Sequence, residues 1–270
     1  MGTSEPPSPR VTVLIGCWNA APTLRRAIDS ILSQTVTELE LIVVDDGSTD
    51  ETPQVVAEVE DPRVRHLQLE HMGISRSLNR GVAEARAPVV ATQDADDWSL
   101  PHRLERQLAV LDAWPRVAVV GARMSEVDEA TGRELRPRTS FAAGDLGRAL
   151  LRFNPIPNTV AAFRRAAFEG AGGYDESLRY AMDYDLWLRI ADEHAVYALD
   201  EVLAVRVMGS ENFGASNERP QTLEAIRARL RTMRRRGSPR GATGLVLPSV
   251  SYLTPIRAKK ALRRRLDQAP

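Results

Sequence analysis

The apolar positions of this chain alternate between short continuous runs and runs spaced three and four residues apart. Val11 to Gly16 is a β-branched run, and after Pro22 the residues Leu24, Ala27, Ile28, Ile31 and Leu32 fall on one helical face. Glu40 to Val44 repeats the first rhythm, and Val55, Val56 and Val59 repeat the second. Val64 to Leu69 is a weaker strand and Ser77 to Ala85 a short helix. Pro88 to Ala91 then leads into a buried strand that ends at Asp94, and Leu104, Leu108 and Leu111 mark a helix after Pro101. Strand and helix in regular turn predict an α/β fold with a mainly parallel central sheet covered by helices on both faces.

Beyond Trp114-Pro115 the rhythm loosens. Val117 to Gly121 reads as a strand, Ala130 to Phe141 as a polar loop, Leu146 to Phe153 as a short helix and Thr159 to Phe163 as a strand. Gly170 to Glu176 is a tight turn region, Tyr184 to Ala191 a helix, and Val196 to Val207 two short strands. With no repeat and no linker, residues 11–218 are expected to form one catalytic domain, with a donor half at about 11–121 and an acceptor half at about 122–218. Residues 1–10, rich in Pro and Ser, are expected to be a disordered N-terminus, and 219–270 a basic helical tail. In that tail Leu223, Ile226, Leu230 and Met233 mark one apolar face opposite Arg227, Arg229, Arg231, Arg234, Arg235 and Arg236, and Thr254 to Leu266 predicts a second basic helix. Gly209 to Glu218 has no pattern, which suits either a mobile lid or a plain exposed loop.

In parallel sheets ligands bind at the carboxyl ends of the strands. Three loops fall there: Gly16 to Asn19, Asp45 to Asp50, and Asp94 to Trp98. Asp94 and Asp96 are two residues apart, so on extended backbone they project to one face and can hold a hard cation. The plainer reading is a solvated loop with one carboxylate capping the next helix. Gly47 to Asp50 likewise reads as a turn with Asx or Ser/Thr caps. Asp46, at a loop end, is expected to contribute little to the core. Together an aromatic ring, a carboxylate that can accept from a base N–H and a metal pair suit a nucleoside diphosphate.

Composition narrows the classes. At 270 residues and 43% hydrophobic the chain can bury a substantial core. No apolar run approaches a membrane span and the N-terminus lacks a signal peptide's hydrophobic segment, so a cytoplasmic protein is expected. A single cysteine, Cys17, cannot form an internal disulfide, and the four histidines are too scattered for a zinc site. The two lysines, Lys259 and Lys260, both lie in the tail, which removes Walker-loop and Schiff-base chemistry from the body. Net charge is zero, yet residues 1–218 carry 22 basic and 34 acidic side chains and residues 219–270 carry 14 basic and 2 acidic. The tail therefore either lies on an anionic membrane surface, placing the protein peripherally at the inner membrane face, or docks on the acidic body. No nucleic-acid partner is expected.

Several motifs occur in a telling order. They are Val13 to Asn19, Ser30 to Gln34, Leu41 to Asp50, Gly73 to Gly81, Asp94-Ala-Asp-Asp97, Pro101-His-Arg-Leu104, Gly172-Gly-Tyr-Asp-Glu176 and Asp183-Tyr-Asp-Leu-Trp-Leu-Arg189. Over about residues 10 to 207 the chain resembles the inverting glycosyltransferases of family 2. The resemblance implies a glycosyltransferase A-type fold that moves a hexosyl group from a nucleotide-sugar donor, UDP- or dTDP-linked, to a hydroxyl acceptor. That acceptor is a sugar, a lipid-linked group or a small molecule, in the synthesis of cell-surface polysaccharide, glycolipid or secondary glycosides. It further implies that Asp46 receives the base N–H, that Gly16 and Trp18 flank the base, and that Arg76, Asp94 and Ala95 also meet the nucleotide. Asp94 and Asp96 would hold Mn2+ or Mg2+, and Asp183 would deprotonate the acceptor.

Each of these has a competitor. Asp183 falls at or just before a helix with Tyr184, Trp187, Leu188 and Ala191 on one face, where an Asp also serves as N-cap. Asp185 is the rival acid, turned roughly 200° around the helix. A signalling receiver domain has a similar acid pair but needs a lysine late in its sheet, and this body has none. A catalytically silent sugar-nucleotide binder in an assembly complex differs from the enzyme only in turnover.

Overall fold

The structure, a computed structural model, describes residues 8–135, 142–209 and 218–237. In chain order it runs β1 (Val11–Cys17), α1 (Ala21–Leu32), β2 (Leu39–Asp45), α2 (Thr52–Ala57), β3 (Val64–Gln68), α3 (Ile74–Glu84), β4 (Val89–Asp94), β5 (Trp98–Ser99) and α4 (Arg103–Ala113). There follow β6 (Val117–Asp128), β7 (Glu134–Leu135), β8 (Gly144–Asp145), β9 (Ala162–Arg164), α5 (Arg165–Gly170), α6 (Met182–Ile190), β10 (Ala195–Met208) and α7 (Glu218–Arg236). Among the described residues the strands form one sheet in the order β3-β2-β1-β4-β9-β6-β10-β5, with β7 beside β6 and β8 beside β10. The first four strands are parallel, as are β6 and β10, and β9 is antiparallel to both neighbours.

The alternation of side chains across each strand sorts the core into two layers. Val11, Val13 and Ile15 of β1 and Leu39, Leu41 and Val43 of β2 belong to a core shared with Leu24, Ala27, Ile28 and Ile31 of α1 and Leu104, Leu108 and Leu111 of α4. Leu14, Ile42 and Val44 belong to the other, with Leu78 and Val82 of α3 and Leu186, Trp187 and Leu188 of α6. This is the α/β architecture, mainly parallel and helix-covered on both faces, that the apolar pattern predicts. Helix α3 lies hard against the sheet: a methyl group added at Gly81 would sit 2.7 Å from Val44 Cγ2.

Three elements of the second half differ from expectation. Leu146 to Phe153 yields only a single 3-10 turn, Ala149–Leu151, because Asn154-Pro155 cannot continue it. Thr159 begins no strand; a 3-10 turn at Asn158–Val160 precedes the short β9. Val196 to Val207 is one strand, not two, since register shifts near Leu199 and Val202 absorb the polar Asp200-Glu201 pair without ending the ladder with β6.

Helix α7 docks on the body. Ala225 and Ala228 join the core that holds α6, Arg231 pairs with Asp175 at 2.8 Å, and Arg235 and Arg236 pair with Asp192 at 3.1 and 2.6 Å. Among the described residues no helix is long and apolar enough to cross a membrane. The expected second basic helix at 254–266 lies outside the described residues, as do 1–7 of the N-terminus, 136–141 of the polar loop and 210–217 of the lid or loop.

Candidate active site

Strand register brings the three loops together. Cys17 at the end of β1 lies beside Asp45 of β2, and Gly16 lies beside Asp94 of β4. Gly16 is a packing position, because a Cβ there would meet Ile74 Cδ1 of α3 at 2.7 Å. Asn19, at a φ of 51°, stitches the first two loops: its N–H donates to Ser48 Oγ at 2.9 Å and its Oδ1 accepts from the Thr49 N–H at 2.8 Å. Asp50 Oδ2 and Thr52 Oγ1 accept from the N–H groups of Ala21 and Ala20, giving α1 the acceptors its alanine cap lacks. So Gly47 to Asp50 does act as turn and cap. Gly47 is obligatory there, with φ of +74° and the His71 amide 2.6 Å from where a Cβ would stand.

Trp18 is 53% exposed and stacks on His71, ring centroids 4.8 Å apart. His71 Nδ1 in turn lies 3.0 Å from the Asp46 carboxylate. Asp46 is not the lightly held loop acid expected from the sequence. It is 3% exposed, and its oxygens accept from the N–H groups of Met72 (2.8 Å) and Gly73 (3.0 Å) and from Ser77 Oγ (2.6 Å). It therefore anchors the segment entering α3, and Asp46→Ala strands the buried Ser77 hydroxyl and two part-buried amides, at ~1–3 kcal/mol for a fully buried donor and less for the amides. Urea unfolding of this variant is expected to show a loss of about 3 kcal/mol, and a change below about 0.5 kcal/mol would contradict the anchoring role. Neighbouring Asp45 is fully buried; its Oδ1 accepts from the Ser48 N–H at 2.8 Å, and His66 Nε2 lies 3.5 Å from its Oδ2.

At the end of β4, Asp94, Asp96 and Asp97 each offer a carboxylate oxygen, all within 4.8 Å of one another. Asp96 is exposed and Asp94 partly so, whereas Asp97 is buried and its Oδ1 accepts from the Val207 N–H of β10 at 3.0 Å. Ala95 between them is buried. Burial, reinforced by the neighbouring carboxylates, pushes Asp94 and Asp97 well above the usual carboxylate range, while the Arg206 guanidinium pulls both back down. Behind Asp94 stands the 3-10 turn, with Thr159 Oγ1 accepting the Asp94 N–H at 3.0 Å. Arg103 of α4 is completely buried below the loop; it donates to the carbonyls of Thr92 (2.7 Å) and Ala161 (3.1 Å), to Ser99 Oγ (2.9 Å) and to Gln107 Oε1 (3.2 Å).

Asp183 occupies the second position of α6, and the cap position is Ala181. Its Oδ2 accepts from Asn154 Nδ2 at 2.9 Å and its Oδ1 from the Tyr184 N–H at 2.6 Å. Burial pushes its carboxyl up to about 6, against the opposing hydrogen bonds from Tyr184, Asn154 and Asn158 and the Arg206 charge. Its own charge raises Asp94, so the two share one electrostatic environment. Tyr174 reports the same proximity, its hydroxyl pushed up by burial and then by Asp183 and Asp94. The rival Asp185 is spoken for: its Oδ2 pairs with Arg189 Nε at 2.8 Å, and Arg189 also donates to the Gly173 and Ala171 carbonyls. Arg76 is directed elsewhere too, pairing with Glu176 at 2.9 Å.

The Glycosyl transferase family 2 profile matches residues 12–171, from β1 through α5. The chain belongs to this family. Among its relatives is the amylovoran biosynthesis glycosyltransferase AmsE of Erwinia amylovora, 29% identical over 260 residues that cover 93% of this chain and 97% of that protein. Two solved structures share the fold. One is a mannosyltransferase of Pyrobaculum calidifontis in complex with GDP-Man and Mn2+, with a TM-score of 0.66 and 23% identity over 97% of this chain and 81% of that one. The other is residues 1–349 of S. aureus TarS in complex with UDP-GlcNAc, with a TM-score of 0.68 and 21% identity over 83% of this chain and 66% of that one, just under two thirds. The fold is thus the glycosyltransferase A-type fold.

Within this family 2 chain the sequence reading missed five residues that the geometry brings to the site. Asp97 was visible as the neighbour of Asp96, and Arg206 as a charge set among Leu203, Ala204, Val205 and Val207. Arg103 lay in a quoted motif with no role given. His71 and Asn154 carried no signal, since each reaches its partner only through a chain reversal.

Proposed function

We propose that this chain is a metal-dependent inverting hexosyltransferase, moving a sugar from a UDP- or dTDP-linked donor to a hydroxyl of a growing polysaccharide, glycolipid or smaller glycoside. One observation carries the reading: Asp183 from α6 and Asp94 from β4 come from opposite halves of the chain, yet the Asp183 charge reaches Asp94 and the Arg206 charge reaches both. The kinship with an amylovoran biosynthesis enzyme supports a polysaccharide acceptor, and the TarS complex with UDP-GlcNAc supports a uridine donor.

Asp94 and Asp96 are the proposed cation ligands. A close set of carboxylate oxygens is the donor chemistry that Mn2+ and Mg2+ favour, and a bound cation supplies counter-charge to the departing diphosphate. Asp97, held by the Val207 amide, steadies the loop. Trp18 offers its exposed face to the base beside Gly16, with Asp46 and His71 at its edge. Asp183, oriented by Asn154, takes the proton of the acceptor hydroxyl. The freed oxygen attacks the anomeric carbon, and the bond from that carbon to the diphosphate breaks with its electron pair left on the phosphate oxygen. A single displacement of this kind inverts the carbon.

Calorimetry with UDP, dTDP and GDP, with Mn2+ and then with excess chelator, tests the donor half. Binding of the preferred nucleotide is expected to weaken at least ~10-fold on chelation, because no lysine stands in the body to replace the cation's charge. Equal binding of all three nucleotides with and without chelator removes the metal assignment.

A further inference from the structure

We propose that helix α7, which lies beyond the stretch matched by the family profile, walls the acceptor subsite and reads a single sugar ring there. The inference rests on the transferase reading above and adds to it where the acceptor sits and which residues select it. A cavity of about 280 Å³ opens between the start of α6 and α7. Asp183, Asn154 and Tyr180 line it from the body, and Gln221, Thr222 and Arg229 line it from α7. That volume is just below the ~300–1,000 Å³ of ordinary ligand pockets, so it suits one pyranose ring rather than an oligosaccharide. Amide, hydroxyl and guanidinium groups make up its polar lining, which is the chemistry that hydrogen-bonds ring hydroxyls. A hydroxyl entering among them meets the Asp183 carboxylate.

The two walls are fixed to one another. Glu224 of α7 accepts from the N–H groups of Arg179 (3.2 Å), Tyr180 (2.8 Å) and Ala181 (2.9 Å), the residues that lead into α6. It thereby holds the backbone that enters α6 and places a negative charge near the helix N-terminus. Arg229, only 5% exposed, donates its Nε–H to Tyr184 Oη at 2.6 Å and lies over the Tyr184 ring. Helix α7 is thus seated by buried, directional contacts at the cavity itself, and its ion pairs with Asp175 and Asp192 hold it further along.

The test has two arms. Calorimetry finds which of UDP, dTDP and GDP binds the full chain best with Mg2+. Saturation-transfer NMR then follows methyl glucoside, methyl galactoside, methyl mannoside and methyl glucuronide with that nucleotide present. The wild-type chain is expected to contact at least one of these glycosides. Gln221→Ala and Thr222→Val should each weaken that contact about 5-fold or more, the loss of one neutral hydrogen bond, with nucleotide affinity kept within about two-fold. Ala225→Trp, which fills the cavity, should abolish glycoside contact; if it fails to fold, the other two variants decide. Nucleotide binding without any glycoside contact, or variants that contact the glycoside as the wild type does, overturns the α7 subsite and leaves the donor reading standing. Failure of all three nucleotides to bind the wild type overturns the transferase reading and this inference with it.

Discussion

Asp183→Asn is expected to lower transfer by at least ~10²-fold while folding and donor binding stay intact. The structure separates the two roles an acid here could play. As a helix-end acceptor, Asp183 does nothing that asparagine cannot: it is the second residue of α6, past the cap position Ala181, and its bond to the helix backbone comes from the Tyr184 N–H. Asparagine keeps an oxygen to accept the Tyr184 N–H but cannot take a proton. The pH dependence gives a second check. Burial raises the Asp183 carboxyl to about 6, so the native state holds this proton more tightly than the unfolded chain does. Between the unfolded carboxylate range near ~4 and about 6, stability attributable to this group falls as pH rises. Activity moves the opposite way and rises as Asp183 ionises, with kcat/KM bending at or below about pH 6, because a cation on Asp94 and Asp96 can only lower that value. The melting temperature of Asp183→Asn at neutral pH should therefore not drop. Transfer by this variant within ten-fold of wild type, or a retained anomeric configuration in the product by NMR, rules out the single-displacement base.

The strand ends were legible in the sequence and much of what holds them was not. A parallel strand covered on both faces is apolar throughout, so the abrupt change from Val43-Val44 to Asp45-Asp46 and from Ala91 to Asp94 marks where the sheet meets its ligand edge. What a single run cannot show is whether a carboxylate at that edge is occupied from elsewhere. Asp46 looked loosely held because its partners, Met72, Gly73 and Ser77, arrive from α3 and the segment before it. Asp185, by contrast, sits four residues before Arg189, a helical pairing visible in the sequence that already marks it as a weaker candidate than Asp183. The face of α7 was misread: Leu223, Ile226, Leu230 and Met233 mark an apolar stripe in the sequence, yet Ala228, Arg229 and Thr232 are the buried positions and Leu230 is exposed, because the surface it meets is built from Asp175, Tyr184 and Asp192, which come together only in the fold. The insertion of β9 between β4 and β6 was hidden for the same reason, since order within a sheet leaves no trace in a three-residue strand.

Arg103→Met is expected to cost about 3 kcal/mol or more in urea unfolding and to weaken Mn2+ binding as well. Arg103 is completely buried, and its guanidinium is shared among the Thr92 and Ala161 carbonyls, Ser99 and Gln107. Those acceptors belong to β4, to the residue that precedes β9, to β5 and to α4, so one planar cation ties the base of the acid loop to three elements around it. Burial lowers its own pKa to about 9, while the charges of Asp94 and Asp97 push the other way. That opposition works in both directions: the arginine helps keep Asp94 and Asp97 ionised against their own burial. Methionine fills much of the volume but leaves the carbonyls unmatched and removes a buried positive charge beneath the cluster. Arg103→Lys should rescue little, because one compact ammonium cannot reach acceptors arrayed around a fork. If the methionine variant unfolds within about 1 kcal/mol of wild type, the guanidinium is not what secures the loop. If it is destabilised but binds Mn2+ as tightly as wild type at neutral pH, its charge has no part in readying Asp94 for a cation.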